Sequence, residues 1–179
     1  MSTQMQNNPP ARTAWQERWR KPTLEQLLEL LKPHQRRNFE VLMAFMDQSP
    51  HLARHIVWFG TGWKWTIHDQ FRDEQGNEAQ FLYLVPNVEQ PLVCLPMTAA
   101  FIETVPLRRL SKFVREGIRS AKCAVDLHWA TWTPGPESEA NQLVDLLKRK
   151  LKFLERESDT DSATAEKAEG DGHQPPPEK

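Results

Sequence analysis

The sequence has little of what most directly announces a protein class. Two cysteines, Cys94 and Cys123, stand in 179 residues, whereas a small secreted domain stapled by disulfides carries several spaced pairs. Both sit among apolar neighbours in expected strands, so free thiols are expected rather than a bridge. No apolar run approaches the roughly 18–20 residues that cross a bilayer. The first residues are polar, with Asn and Pro in place of a basic-then-apolar leader. The expectation is a cytoplasmic chain with no membrane partner. Also missing are a Gly-Lys-Ser/Thr phosphate-loop signature, a recognised nucleic-acid motif, a helix-borne metalloprotease motif and any internal repeat. Nothing in the pattern calls for a cofactor or a metal.

Large aromatics are what the chain does have. Seven Trp and eight Phe can each bury roughly 150–250 Å², enough for one real core in a chain of single-domain length. The formal charge of −1 hides an asymmetry. From Glu157 onward seven acids face two bases, while Trp15 to Arg156 carries twenty bases and seventeen acids. Residues 1–14 are rich in Gln, Asn, Thr and Pro, and residues 157–179 are acidic and close on three prolines. Neither segment offers a periodic apolar stripe to offset chain entropy, so both are expected to be disordered tails around a single domain spanning 15–156.

Within that domain the hydrophobic period changes several times. Thr23 and Gln26 have capping-box spacing before Leu24, Leu27, Leu28 and Leu31. Pro33 opens a second helix through Phe39, Leu42, Met43 and Met46. From His55 the period is two, with Trp63, Trp65 and Ile67 alternating with polar residues after Gly60-Thr61-Gly62, which reads as a hairpin. Phe81–Val85 and Leu92–Leu95 give two more strands, and residues 107–122 return to helical spacing. A strand over Cys123–Thr133 and a helix with Leu143, Leu147, Leu151 and Leu154 on its stripe close the domain, with Lys148, Arg149, Lys150 and Lys152 at its negative end. The expected class is α+β, in the order α-α-β-β-β-β-α-β-α, with a mainly antiparallel sheet of about five strands.

The run Trp58-Phe59-Gly60, then Gly62-Trp63, then Phe81-Leu82-Tyr83-Leu84-Val85-Pro86, followed by a strand, a helix and the closing helix, resembles small bacterial domains of unknown function near the YdhG-like group. The resemblance covers about Ala53 to Phe153. It implies one curved sheet with helices packed on it and implies no activity.

Two surfaces stand out as candidate sites. Trp63, Trp65, Trp129 and Trp132 could line a ligand pocket, with Trp63 and Trp65 on one strand face and Trp129 and Trp132 on opposite faces of the last strand. Arg108, Lys112, Arg115, Arg119 and Lys122 step by four, three, four and three along one helix face, a basic stripe suited to nucleic acid or another polyanion. Other constellations are thinner. Gly60-Thr61-Gly62-Trp63 reads as a plain turn rather than a phosphate cradle. His51, His55 and His68 form a minimal metal spacing, and Asp126 and His128 share a strand face. Cys94, His68, Asp69 and His128 are titratable residues that an enzyme site would have to bring together. The reading is a small binding or accessory domain, with a polyanion binder and an enzyme as the alternatives.

Overall fold

The computed structural model describes residues 12–169. Most of the first tail and the end of the acidic segment lie outside the described residues. The elements run α1 (Leu24–Leu28), α2 (Pro33–Met46), β1 (Leu52–Trp58), α3 (Gly60–Trp63), β2 (Trp65–Arg72), β3 (Glu78–Val85), β4 (Leu92–Thr98), α4 (Ala99–Thr104), α5 (Lys112–Arg119), β5 (Lys122–Ala124), β6 (Leu127–Trp132) and α6 (Glu137–Glu169). The fold is α+β. Its sheet has six strands in the order β1-β2-β3-β4-β6-β5, with every neighbouring pair antiparallel.

The expected capping box closes α1: Gln26 N donates to Thr23 Oγ1 at 3.2 Å, and Thr23 N to Gln26 Oε1 at 3.0 Å. Four expectations need correction. The single strand over Cys123–Thr133 is a hairpin, because Val125 and Asp126 take φ of 49° and 62° and turn the chain back on itself. The single helix over 107–122 is a 3-10 turn at Leu107–Arg109 followed by α5, which starts where the Ser111 hydroxyl accepts from Val114 N. An additional short helix, α4, begins at Thr98, whose hydroxyl accepts from Phe101 N at 3.1 Å. Finally, α6 does not stop at Arg156 but continues to Glu169, so the acidic segment is helical over that stretch.

The helices gather on one face of the sheet. Arg54 of β1 donates to the Met43 carbonyl of α2, the Phe101 ring of α4 lies 5.4 Å from that of Phe153 on α6, and α5 meets Trp132 of β6. Ile67, Leu82, Leu84, Val93, Leu95 and Ala130 form the floor of this core. Asn38 ties α2 to the turn before α6, its Nδ2 donating to the carbonyls of Pro134 at 2.9 Å and Gly135 at 3.0 Å. On the other face, among the described residues, only the single turn α3 lies over the strands. The N-terminal segment straps the end of the sheet: Trp15 is buried, its Nε1 donates to the Trp63 carbonyl at 3.0 Å, and Trp65 Nε1 donates to the Glu17 carbonyl at 2.7 Å.

The centre of the sheet is split. β3 and β4 pair only from Tyr83↔Cys94 to Val85↔Leu92. Beyond that point Pro96 has no N–H to give the ladder, and β3 carries a bulge opposite Asp69 and Gln70. Lys150 of α6 enters this gap. Its ammonium donates to the carbonyls of Gln80 at 2.8 Å, Phe81 at 2.9 Å and Pro96. The side chain is wholly buried, and burial pulls its pKa down to about 7, while three converging carbonyl oxygens favour the charged form. Lys150 is therefore not one of the solvent-facing cations at the end of the helix. Replacing it with Met keeps the apolar stem and relieves the cost of burying the ammonium, which offsets part of the roughly 1–3 kcal/mol lost at each of the three orphaned acceptors. Lys150→Met should lower stability by roughly 2–4 kcal/mol, read from denaturant midpoints.

Gly117 allows the closest approach of a helix to the sheet. A Cβ at this position would fall inside the Trp132 indole, whose Nε1 donates to the Phe113 carbonyl at 3.2 Å. The clash is with a buried ring rather than the end of a flexible side chain. Gly117→Ala should cost at least about 1–3 kcal/mol by overpacking, measured as a fall in melting temperature, whereas the same change at exposed Gly62 meets open space.

Candidate functional site

Register decides which candidate residues meet. Across the face that bears only α3, direct strand partners form a row: His55, His68, Tyr83, Cys94 and Thr131. The His68 and Tyr83 rings stack, with centroids 4.2 Å apart and 2° between planes. Phe59 stands edge-on to both, at 6.1 Å from His68 and 5.1 Å from Tyr83. Trp63 lies 5.7 Å from Tyr83 and 6.3 Å from Trp129, completing a cluster of five rings. Tyr83 and His68 are its buried floor, Trp63 and Trp129 its half-buried rim, and Phe59 and Val57 are exposed.

The four tryptophans thus divide into two pairs. Trp63 and Trp129 meet on this open face. Trp65 and Trp132 are buried on the helix face, where Trp65 stands edge-on to Trp58 at 5.6 Å. The expectation that Trp63 and Trp65 share a face fails because Trp63 ends the α3 turn instead of belonging to β2. That turn is closed by Phe59 N donating to the Lys64 carbonyl at 2.8 Å and begins at Gly60, with φ of 72°. Such a backbone suits glycine.

The basic stripe is broken in the same way. Lys112, Arg115 and Arg119 remain on α5, Arg108 sits on the 3-10 turn, and Lys122 lies on β5. Lys122 pairs in register with Trp129 and so flanks the aromatic cluster on the open face. Lys112 is also partly answered by Glu116, at 3.7 Å.

The titratable candidates do not converge. His68 and Asp69 are neighbours in sequence and point to opposite faces. Asp69 receives Arg54 Nε at 3.1 Å, and Arg54 also reaches Asp47 at 2.9 Å. Burial pushes the Asp69 carboxyl up to about 6 against the pull of Arg54. His128 lies on the helix face, in register with Met97 and Cys123. Asp126 is in the hairpin turn rather than on a strand beside it. Cys94 is buried on the open face and Cys123 is exposed on β5, two free thiols separated by β6. His51 packs on Phe71 at 5.9 Å, away from His55 and His68. Among the described residues no group of three or more His, Cys, Asp or Glu side chains could hold a metal ion.

Burial sets the protonation of the row. It raises the Cys94 thiol to about 12 and the Tyr83 hydroxyl to about 12, and it lowers His68 to about 4, with His55 and Lys150 adding to the last effect. At neutral pH the three are uncharged, so the row presents no thiolate nucleophile. It offers ring surface and one neutral imidazole whose Nε2 is buried with no hydrogen-bond partner. Sequence reasoning missed Phe59 and Tyr83. The alternation that places Tyr83 opposite His68 depends on register, which no local signal reveals.

Neutral His68 carries a pH signature. Its folded pKa of about 4 lies below the ordinary 6.5, so the stability it contributes is complete above about pH 6.5 and is lost as pH falls through about 4. Asp69 works in the opposite sense but is common to both chains in a comparison with His68→Phe. Denaturation at pH 7 and pH 4.5 should show the wild type losing more stability on acidification than the variant. Compared with known proteins, the chain matches no family model, no curated protein and no solved structure.

Proposed function

We propose that this chain is a binding module that takes a flat heterocyclic group, such as a nucleobase, on the face of the sheet that bears only α3. The observation that carries the reading is the buried, unpartnered Nε2 of His68 at the floor of a five-ring cluster. A buried polar atom without a partner costs free energy, and a ligand with a complementary donor or acceptor would recover it. Stacking on Tyr83, Trp63 or Trp129 would supply the apolar part of the affinity. The Phe59–Lys64 turn is the natural cover: the Trp15 indole bonds its Trp63 carbonyl and Lys64 Nζ lies 4.0 Å over the Trp15 ring, while the exposed Phe59 end closes on the floor through edge-on ring contacts with His68 and Tyr83. Kinship with the YdhG-like domains, proposed on the same run of residues, would leave the ligand open.

Titration with adenosine and with uridine, followed through the indole N–H resonances and the His68 ring signals, tests this reading. Trp63, Trp129 and His68 should shift at millimolar ligand while Trp65 and Trp132 stay still, and His68→Phe should weaken the response at least about tenfold. Equal small shifts at all the indoles, or none, would overturn it.

A further inference from the structure

A second concavity lies on the helix side, at the seam between α4 and α6. Arg149, Lys152 and Arg156 occupy one face of α6 at steps of three and four. With Thr104 and Phe153 they line a cavity of about 220 Å³. All three cations are exposed, and among the described residues none has a carboxylate within salt-bridge distance. Arg36, Arg37, Arg54, Arg72 and Lys148 are each paired with an acid. Three converging unpaired cations repel one another unless an anion joins them.

The positive surface continues beyond the cavity. Ser111 donates to Gln142 of α6, so the connection from Thr104 to Ser111 runs along α6 from the cavity toward the start of that helix. Arg108 and Arg109 stand on this connection, exposed and unpaired among the described residues. From Gln142 to Arg156 α6 advances about 20 Å at 1.5 Å per residue, longer than one phosphate group and suited to several in a row. Among the acids near this strip, Asp145 is answered by Lys148 at 3.2 Å, while Glu103 of α4 and Asp159, three residues beyond Arg156 on α6, remain. Phe153, half-buried in the cavity wall, adds a ring on which an unpaired base can stack.

We infer that the α4–α6 seam binds the phosphodiester backbone of single-stranded nucleic acid, with one phosphate seated among Arg149, Lys152 and Arg156. The site is separate from the sheet face described above and does not depend on it. It also moves the expected polyanion contact away from the α5 stripe toward α6.

Anisotropy titrations of a labelled oligothymidylate with the full chain test the inference. The wild type should bind with an affinity that falls steeply with salt. Arg149→Ala/Lys152→Ala/Arg156→Ala should bind at least tenfold more weakly, with a logarithmic salt slope smaller by about 0.7, as expected for one lost phosphate site on a single strand. The melting temperature of this variant should be unchanged, because all three side chains are exposed. The triple substitution should weaken binding by the same factor in a His68→Phe background as in the wild type, which separates this site from the sheet face. Failure of the wild type to bind at low salt, or equal binding by the triple variant, would overturn the inference. Competition by inorganic phosphate as effective as that by unlabelled oligothymidylate would overturn the assignment to a polymer.

Discussion

A lysine amine is among the groups least suited to a protein interior, and the sheet of this protein is organised around one. Pro96 interrupts the ladder between two central strands, β3 bulges beside it, and the result is a slot lined by carbonyl oxygens with no strand to receive them. Lys150 supplies the missing donors from a helix 54 to 70 residues away in sequence. The cost of desolvating the ammonium is set against three hydrogen bonds to these carbonyls. Because Lys150 lies on the same α6 stripe as Leu143, Leu146 and Leu147, that contact also fixes the rotation and axial position of the long helix over the sheet.

Once α6 is fixed, the two faces acquire different characters. The helix face is filled: α2 and α6 pack together, Gly117 lets α5 close on Trp132, and the Arg54 guanidinium joins β1, β2 and the end of α2 through Asp69, Asp47 and the Met43 carbonyl. Among the described residues the opposite face carries only the short α3 turn, and aromatic rings cover it instead. Rings borrowed from the β1–β2 connection and from β6 shelter Tyr83 and His68, leaving partly exposed apolar surface at Phe59 and Val57. Acid–base groups are thereby separated rather than gathered, with His68 and Asp69 back to back through one strand. Cations collect elsewhere, along the outer side of α6.

Local chemistry was readable from the sequence wherever it acts over a few residues. The Thr23–Gln26 box, Pro33 at the start of α2, the change to period two after His55 and the leucine stripe of α6 all describe elements that exist. What escaped depends on partners far along the chain. Pro96 looks like a strand breaker, yet β4 runs on to Thr98 because β6 pairs with its other edge. Val125-Asp126 lacks the glycine or asparagine that marks a tight hairpin, so two strands read as one. Lys150 resembles the cations on either side of it, although its spacing from Leu146, Leu147 and Leu154 already places it on the buried stripe. The candidate site was legible as a set of tryptophans but not as a surface, since register alone decides that Trp63 and Trp129 meet while Trp65 and Trp132 are hidden.

The position of Lys150 in the chain also bears on how the protein is made. All six strands precede it, so during synthesis the sheet leaves the ribosome complete in sequence but without the donor that fills its central gap. At roughly 5–20 residues per second, a few seconds separate the emergence of β4 from that of the middle of α6. Through that interval the nascent chain carries an apolar sheet face and a set of unanswered carbonyls side by side. This is the kind of surface that chaperones shield and that neighbouring nascent chains can invade. A fold keyed by its last helix is thus committed late, and its vulnerable period is set by the distance in sequence between a proline in β4 and a lysine in α6.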